Sequence, residues 1–403
     1  MHRKRIILAI ILVFILLVAV LLYNQAKQSI QPESTLELIG SKEITLMIGS
    51  VYQDPGTTIS EAQVSGTINT ETAGTYTLTY SYQDQTVKRI IKVVNNKQIV
   101  MSLNGSQNTY VKRGQTYIES GCHAVDQDEG NITGRVDVSG EVNAEVTGTY
   151  QIVYTVENNE GVICSRKRTV NVVDEGEFAE NTTGIPVLMY HFVYTESEMP
   201  NEVTTNHILD TTLREELQYL KDNQYYFPSY QELAAYINDE IDLPEKSVIL
   251  TFDDGEGGFF QYGIPLLEEY QVPATSFIIA GNENAAAIVK DYASEYISFQ
   301  SHSYAMHQAG GTVGHGGIIS AMSKEEIIED LKNSQAIVQS TEAFAYPFGD
   351  TTEAAREAIN EVGILCSFTT EYGKVSKGAD HTQLPRIRML GESTLQGYIL
   401  QIE

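Results

Sequence analysis

From Gly184 onward, short apolar runs alternate with helix-length amphipathic segments, and that pattern leaves few folds open. Strands are expected over 186–190, 247–252, 274–280, 297–301, 343–346 and 365–369. Their unbroken, β-branched composition is that of strands buried on both faces. Helices are expected between them, over 212–223, 230–239, 263–270, 324–339 and 353–362. Ser229 with Glu232, and Ser323 with Glu326, have capping-box spacing, and Gly363 stands where a helix C-cap glycine belongs. Repeated strand–helix units predict a parallel sheet with helices outside, as a barrel or a doubly wound sheet. In a barrel, chemistry gathers at the C-terminal ends of the strands.

Residues 36–173 are built differently, from an internal repeat. GSVYQDPG from Gly49 matches GQTYIESG from Gly114, 65 residues on, and AGTYTLTYSY from Ala73 matches TGTYQIVYTV from Thr147, 74 residues on. The second copy therefore carries nine extra residues, around AVDQDEGNITG. Each copy ends in an alternating strand, 89–94 and 168–173, and short alternating strands between Gly, Asn and Asp turns indicate small β-sandwiches. The two modules, 36–96 and 97–174, resemble bacterial immunoglobulin-like domains of surface proteins. They read as a spacer before the next domain, with glycan adhesion as the alternative. A linker is expected over 175–184 and a third, α/β domain over 185–403.

After His2, Arg3, Lys4 and Arg5 the chain runs from 6 to 23 without a charged residue. As a helix that run spans roughly 27 Å, which predicts a transmembrane anchor with residues 1–5 cytoplasmic, 24–35 a linker and the rest outside the cell membrane. A cleaved signal peptide is the rival reading. The formal net charge of −27 excludes nucleic acid and anionic lipid surfaces as partners, since both repel it. Three cysteines do not make a disulfide framework, although Cys122 and Cys164 fall in one module and are candidates to pair. Nothing in the sequence sets the oligomeric state.

The chemistry concentrates in TFDDG, 251–255, where an apolar run opens into a glycine turn. Two adjacent carboxylates, Asp253 and Asp254, are costly there unless a cation or a reaction uses them. SHSYAMH, about fifty residues later, adds His302 and His307. One carboxylate and two imidazoles form a ligand set for a catalytic divalent metal, leaving the other carboxylate as a base. Histidines five apart lie about 140° apart on a helix and on opposite faces of a strand, so the segment between them must be looped.

IPVLMYH, TFDDG, SHSYAMH and AFAYPFG, in that order, resemble the polysaccharide deacetylase (NodB homology) family, in the branch that includes poly-N-acetylglucosamine deacetylases. The resemblance covers residues 184–403. It implies a distorted parallel (β/α) barrel that removes acetyl groups from sugars with a metal ion. Carried over by position, Asp253 is the base, while Asp254, His302 and His307 hold the metal, with zinc expected and cobalt or nickel accepted. His191, in the branch's N-terminal motif, is the expected acid, preferred over His381. Tyr346, Pro347 and Phe348 line the substrate, with a peptide N–H near Phe348 helping to hold the oxyanion. Ala345 stands where many members carry an arginine that orients the base, so Arg386 or Arg388 is the expected substitute. Tyr190, Tyr304 and Phe348 are candidates to stack on a sugar ring. His315, among glycines in GGTVGHGG, reads as a loop residue near the site. The expected activity is de-N-acetylation of N-acetylglucosamine in a cell-wall or surface polysaccharide, peptidoglycan or poly-N-acetylglucosamine. O-acetyl ester hydrolysis and catalytically silent glycan adhesion are the alternatives.

Overall fold

The computed structural model describes residues 13–22, 35–94 and 98–403. Among them, seven parallel strands close a barrel: β1 (Val187–Tyr190), β2 (Ile249–Phe252), β3 (Ala274–Ile278), β4 (Ile297–Ser301), β5 (Ala343–Ala345), β6 (Cys366–Tyr372) and β7 (Leu384–Arg388). Each pairs with the next, and β7 returns to β1 through Leu188 opposite Ile387, which closes the ring. Every residue of β1, β2 and β3 is buried, as their apolar runs require. Helices Asp210–Asp222, Tyr230–Ile237, Ile264–Tyr270, Lys324–Val338 and Glu353–Val362 fall where the sequence placed them. Both capping boxes form, and Gly363 closes its helix at φ 76°.

β7 was not expected. Its sequence, LPRIR, carries a proline and two arginines, which hide the apolar alternation. Helices Ala285–Asp291 and Leu395–Ile402 were also unforeseen.

The chain divides into two compact units. In the first, Gln63–Ser65 pairs antiparallel with Gly74–Tyr82, and Gln85–Val94 follows in the same sheet. In the second lies the other repeat copy, built on the antiparallel pair Gly148–Glu157 and Val162–Val173, with Asn108–Lys112 and Asp137–Ser139 alongside. A separate sheet of Ile99–Leu103, Cys122–Asp126 and Gly130–Asn131 covers it, and the nine-residue insertion supplies the turn of that sheet. Cys122 and Cys164 are buried in this copy and free, so no disulfide staples it.

A buried arginine repeats with the modules. Arg168 donates to the Tyr154 hydroxyl (3.1 Å) and to the carbonyls of Ser106 (2.6 Å), Asn104 (2.9 Å) and Gly121 (3.1 Å). In the other copy Arg89 donates to the Tyr80 hydroxyl (3.3 Å) and to the carbonyls of Ser41, Ile39 and Gly56. Each tyrosine in turn donates to an acid, Glu119 or Asp54. Five donors in a fixed fork let one side chain satisfy several loop carbonyls that would otherwise be buried unpaired.

Within the second unit the module packs on the barrel at the N-terminal end of β5. Glu342, just before that strand, accepts from Asn104 (2.6 Å) and Gln231 (2.7 Å) and meets His123 Nε2 at 2.9 Å. A Cβ on Gly105, at φ +72°, would stand 2.7 Å from the Phe227 carbonyl oxygen, so only glycine fits there. The expected 175–184 linker is also tied down. Phe178 is buried, and Asn181 N–H donates to the Leu243 carbonyl at 2.8 Å.

The transmembrane anchor is not upheld. Among the described residues no helix is long and apolar enough to cross a membrane. The helix at 13–22 rises only about 15 Å, against a hydrocarbon core of about 30 Å. Placement on the cell membrane with a cytoplasmic N-terminus loses its support with it. Residues 1–5, 6–12 and most of 24–35 lie outside the described residues.

Candidate active site

Parallel strands end on one rim, and the sequence places a reactive side chain just past several of them. His191 follows β1, Asp253 and Asp254 follow β2, His302 follows β4, and the Pro347–Gly349 turn follows β5. Asp254 Oδ1 lies 3.3 Å from His302 Nε2 and 3.2 Å from His307 Nε2. These spacings match the edge, about 3.3 Å, of a tetrahedron with bonds of about 2.0 Å to its centre, the zinc–nitrogen length. His302 Nδ1 meets the Ala345 carbonyl at 2.8 Å. A carbonyl only accepts, so the proton sits on Nδ1 and the Nε2 lone pair is free for a ligand bond. The donor set therefore fits a divalent metal, and it is the one such cluster among the described residues.

Asp253 is treated differently. Its two oxygens each accept from Arg386, Oδ1 from Nη1 and Oδ2 from Nη2, both at 2.7 Å. Arg386 is fully buried, and it also donates to the Thr369 carbonyl (3.0 Å) and the Thr251 hydroxyl (3.2 Å). Burial raises the pKa of Asp253, but the Arg386 charge and hydrogen bonds outweigh it and hold the carboxyl below its ordinary range. Asp254 is also lowered, because His302 and His307 beside it outweigh its burial. Both carboxylates are thus ionised, one gripped by an arginine and the other by two imidazoles.

The histidine spacing is solved by a loop. Ser303 adopts φ 73°, which turns the chain directly after His302. Asp330, from helix Lys324–Val338, then accepts from the N–H groups of Tyr304 and Ala305, each at 2.7 Å. Asp254 (φ 74°) and Phe348 (φ 61°) are likewise left-handed, and such non-glycine conformations persist only where surroundings impose them. The Phe348 ring stacks on His307 with centroids 4.8 Å apart.

Residues 240–366 match the family described as polysaccharide deacetylase, and 36–93 and 101–172 match the bacterial surface protein Ig-like domain. Residues 240–366 thus carry a polysaccharide deacetylase domain. It is a hydrolase acting on amide bonds. Among its relatives is the poly-beta-1,6-N-acetyl-D-glucosamine N-deacetylase of Staphylococcus epidermidis, 25% identical over 202 residues, covering 46% of this chain and 69% of that one. The Staphylococcus aureus protein of the same name is 24% identical over 213 residues, 49% of this chain and 72% of that one. A solved structure of the Streptococcus pyogenes deacetylase PplD in complex with acetate has 25% identity and a TM-score of 0.48, covering 55% of this chain and 98% of that one.

The deacetylase domain treats the other expected residues unequally. His191 is close enough to feel the charges of Asp253 and Asp254; burial lowers its pKa, and those charges only partly oppose it. Its Nδ1 is buried without a hydrogen-bond partner among the described residues. His381 lies at the opposite end of the barrel, its carbonyl accepting from Ser367 N–H at the start of β6 (2.8 Å). Tyr346 is no substrate contact: it is buried in an apolar cluster and its hydroxyl donates to the Thr382 carbonyl at 2.9 Å. Pro347 is buried beneath the turn, leaving Phe348 as its half-exposed side chain. Arg386 grips Asp253 and is itself fully buried, whereas Arg388 is exposed. Tyr190 is buried too, stacked on Phe252 and donating to Glu216 at 2.8 Å, so it is no sugar platform; Tyr304 is exposed. Asp330 and Asp350 were missed, as lone acids in a helix and a turn without motif spacing.

Proposed function

We propose that this protein is a metal-dependent de-N-acetylase of an N-acetylglucosamine polysaccharide, with poly-N-acetylglucosamine the favoured polymer. The observation that carries the reading is the asymmetric carboxylate pair, Asp254 facing two imidazoles and Asp253 locked onto Arg386. The relatives' names favour the β-1,6-linked polymer. The reaction is assigned to 185–403, and the modules over 36–96 and 97–174 act as spacers.

Asp254, His302 and His307 would hold the metal, most simply zinc. When bound, it polarises the amide carbonyl and lowers the pKa of an attacking water. Asp253 takes that water's proton, and Arg386 keeps both its oxygens aimed and ionised. Water oxygen adds to the carbonyl carbon, and a peptide N–H of the Phe348 turn helps to hold the charge that develops on the carbonyl oxygen. His191 delivers a proton to the sugar nitrogen as the C–N bond breaks, which yields acetate and a free amine. Its burial makes the imidazolium a readier donor.

The test is acetate release from β-1,6-linked N-acetylglucosamine oligomers by the full chain, before chelation, after it and after zinc is restored. Loss and recovery are expected, and His191→Ala is expected to keep its metal while turnover falls by about 10²- to 10⁴-fold. Undiminished release by the chelated protein overturns the reading.

A further inference from the structure

One histidine near the site is held at some cost, and the reaction above gives it no role. The carboxylate of Asp350, almost wholly buried, accepts from the N–H groups of His315 (Oδ1) and Gly317 (Oδ2), each at 2.7 Å. Its Oδ1 also lies 3.2 Å from His315 Nδ1. The loop approaches so closely that a Cβ on Gly314 would meet Asp350 Oδ1 at 2.0 Å and one on Gly317 would meet the Phe348 ring at 2.9 Å. Glycines lose more chain entropy on ordering than other residues, so pinning this loop is expensive. What the pinning presents is the His315 imidazole, whose side chain is 68% exposed. Because a carboxylate only accepts, the neutral ring carries its proton on Nδ1, and Nε2 is turned over to solvent as an acceptor.

Phe348 fixes where this happens. Asp350 lies two residues beyond it, at most about 7 Å of chain, and the Phe348 ring stacks on His307. His315 is nevertheless outside the metal-ligating cluster. A polymer whose reacting sugar sits at Asp254, His302 and His307 must run its neighbouring sugars across this rim.

We infer that His315, oriented by Asp350, is a subsite residue that accepts a hydrogen bond from a hydroxyl of a sugar next to the one deacetylated. This rests on the reading of the site as a polysaccharide deacetylase. The polymer is then gripped beside the reacting residue as well as at it, which makes chain length part of recognition.

The experiment compares wild type, His315→Ala and His315→Gln on a β-1,6-linked N-acetylglucosamine pentamer and on 4-nitrophenyl acetate, which has no sugar. His315→Ala is expected to lower kcat/KM on the pentamer about tenfold through KM, one hydrogen bond's worth, with ester hydrolysis and metal content unchanged and with partial rescue by glutamine. Equal losses on both substrates, or none on the pentamer, overturn it. Should wild type release no acetate, the proposed function fails, and pentamer binding by calorimetry decides the present point: a roughly tenfold weakening in His315→Ala supports it, and equal or absent binding overturns it.

Discussion

Three fully buried arginines divide the molecule by what they hold. In the modules, Arg89 and Arg168 spread their donors over loop carbonyls and a tyrosine hydroxyl. In the barrel, Arg386 aims both terminal nitrogens at one carboxylate. The first arrangement satisfies backbone groups that folding has buried, so its value is stability. The second fixes and ionises a single reactive group, so its value is chemistry. The same side chain serves both ends because its planar fork fits either several carbonyls or one carboxylate.

The largest effect is expected at Arg386. Arg386→Met is expected to lower kcat by at least about 10²-fold, since Asp253 is left buried, unaimed and driven toward its protonated form; kcat of the folded variant, with metal content alongside, checks this. Arg168→Met is expected to cost about 3–5 kcal/mol of stability by orphaning its acceptors, with kcat unchanged at temperatures where it remains folded. A melting curve paired with an activity assay reads both. Wild-type stability of the Arg168 variant would show that the fork is dispensable.

Glu216 sharpens the contrast, because it is a buried acid that lacks an arginine. Its carboxyl accepts from the Tyr190 hydroxyl, and burial pushes its pKa up to about 8. The folded state therefore keeps a proton that the unfolded chain releases near pH 4.5. Stability from this group is complete below the unfolded value and is lost as pH climbs to about 8. Glu216→Gln, which stays neutral and can still accept from Tyr190, is expected to be more stable than wild type at pH 8 by a few kcal/mol on order of magnitude. Near pH 4 the two should melt alike. A gain independent of pH would mean that the titration of Glu216 is not its source.

Much of the barrel was legible because its strands are buried on both faces and its helices carry their own caps. β7 was not, since Pro385, Arg386 and Arg388 interrupt its apolar pattern; one of the residues that hide the strand is the one that grips Asp253. The candidate metal ligands could be read from TFDDG and the histidine pair, but not how residues five apart converge. That depends on Ser303 in a left-handed conformation and on Asp330, 25 residues from the backbone group it holds. Tyr346 looked like a substrate contact, and burial assigns it elsewhere. The uncharged N-terminal run was read as a full span, whereas the helix described there covers only 13–22.

The two adjacent aspartates are proposed to do different work. The direct measurement is metal content, by elemental analysis, beside acetate release for Asp253→Asn and Asp254→Asn. Asp253→Asn should keep its metal and lose turnover by about 10²- to 10⁴-fold, while Asp254→Asn should lose both. Metal lost from Asp253→Asn, or turnover retained in it, would contradict the division.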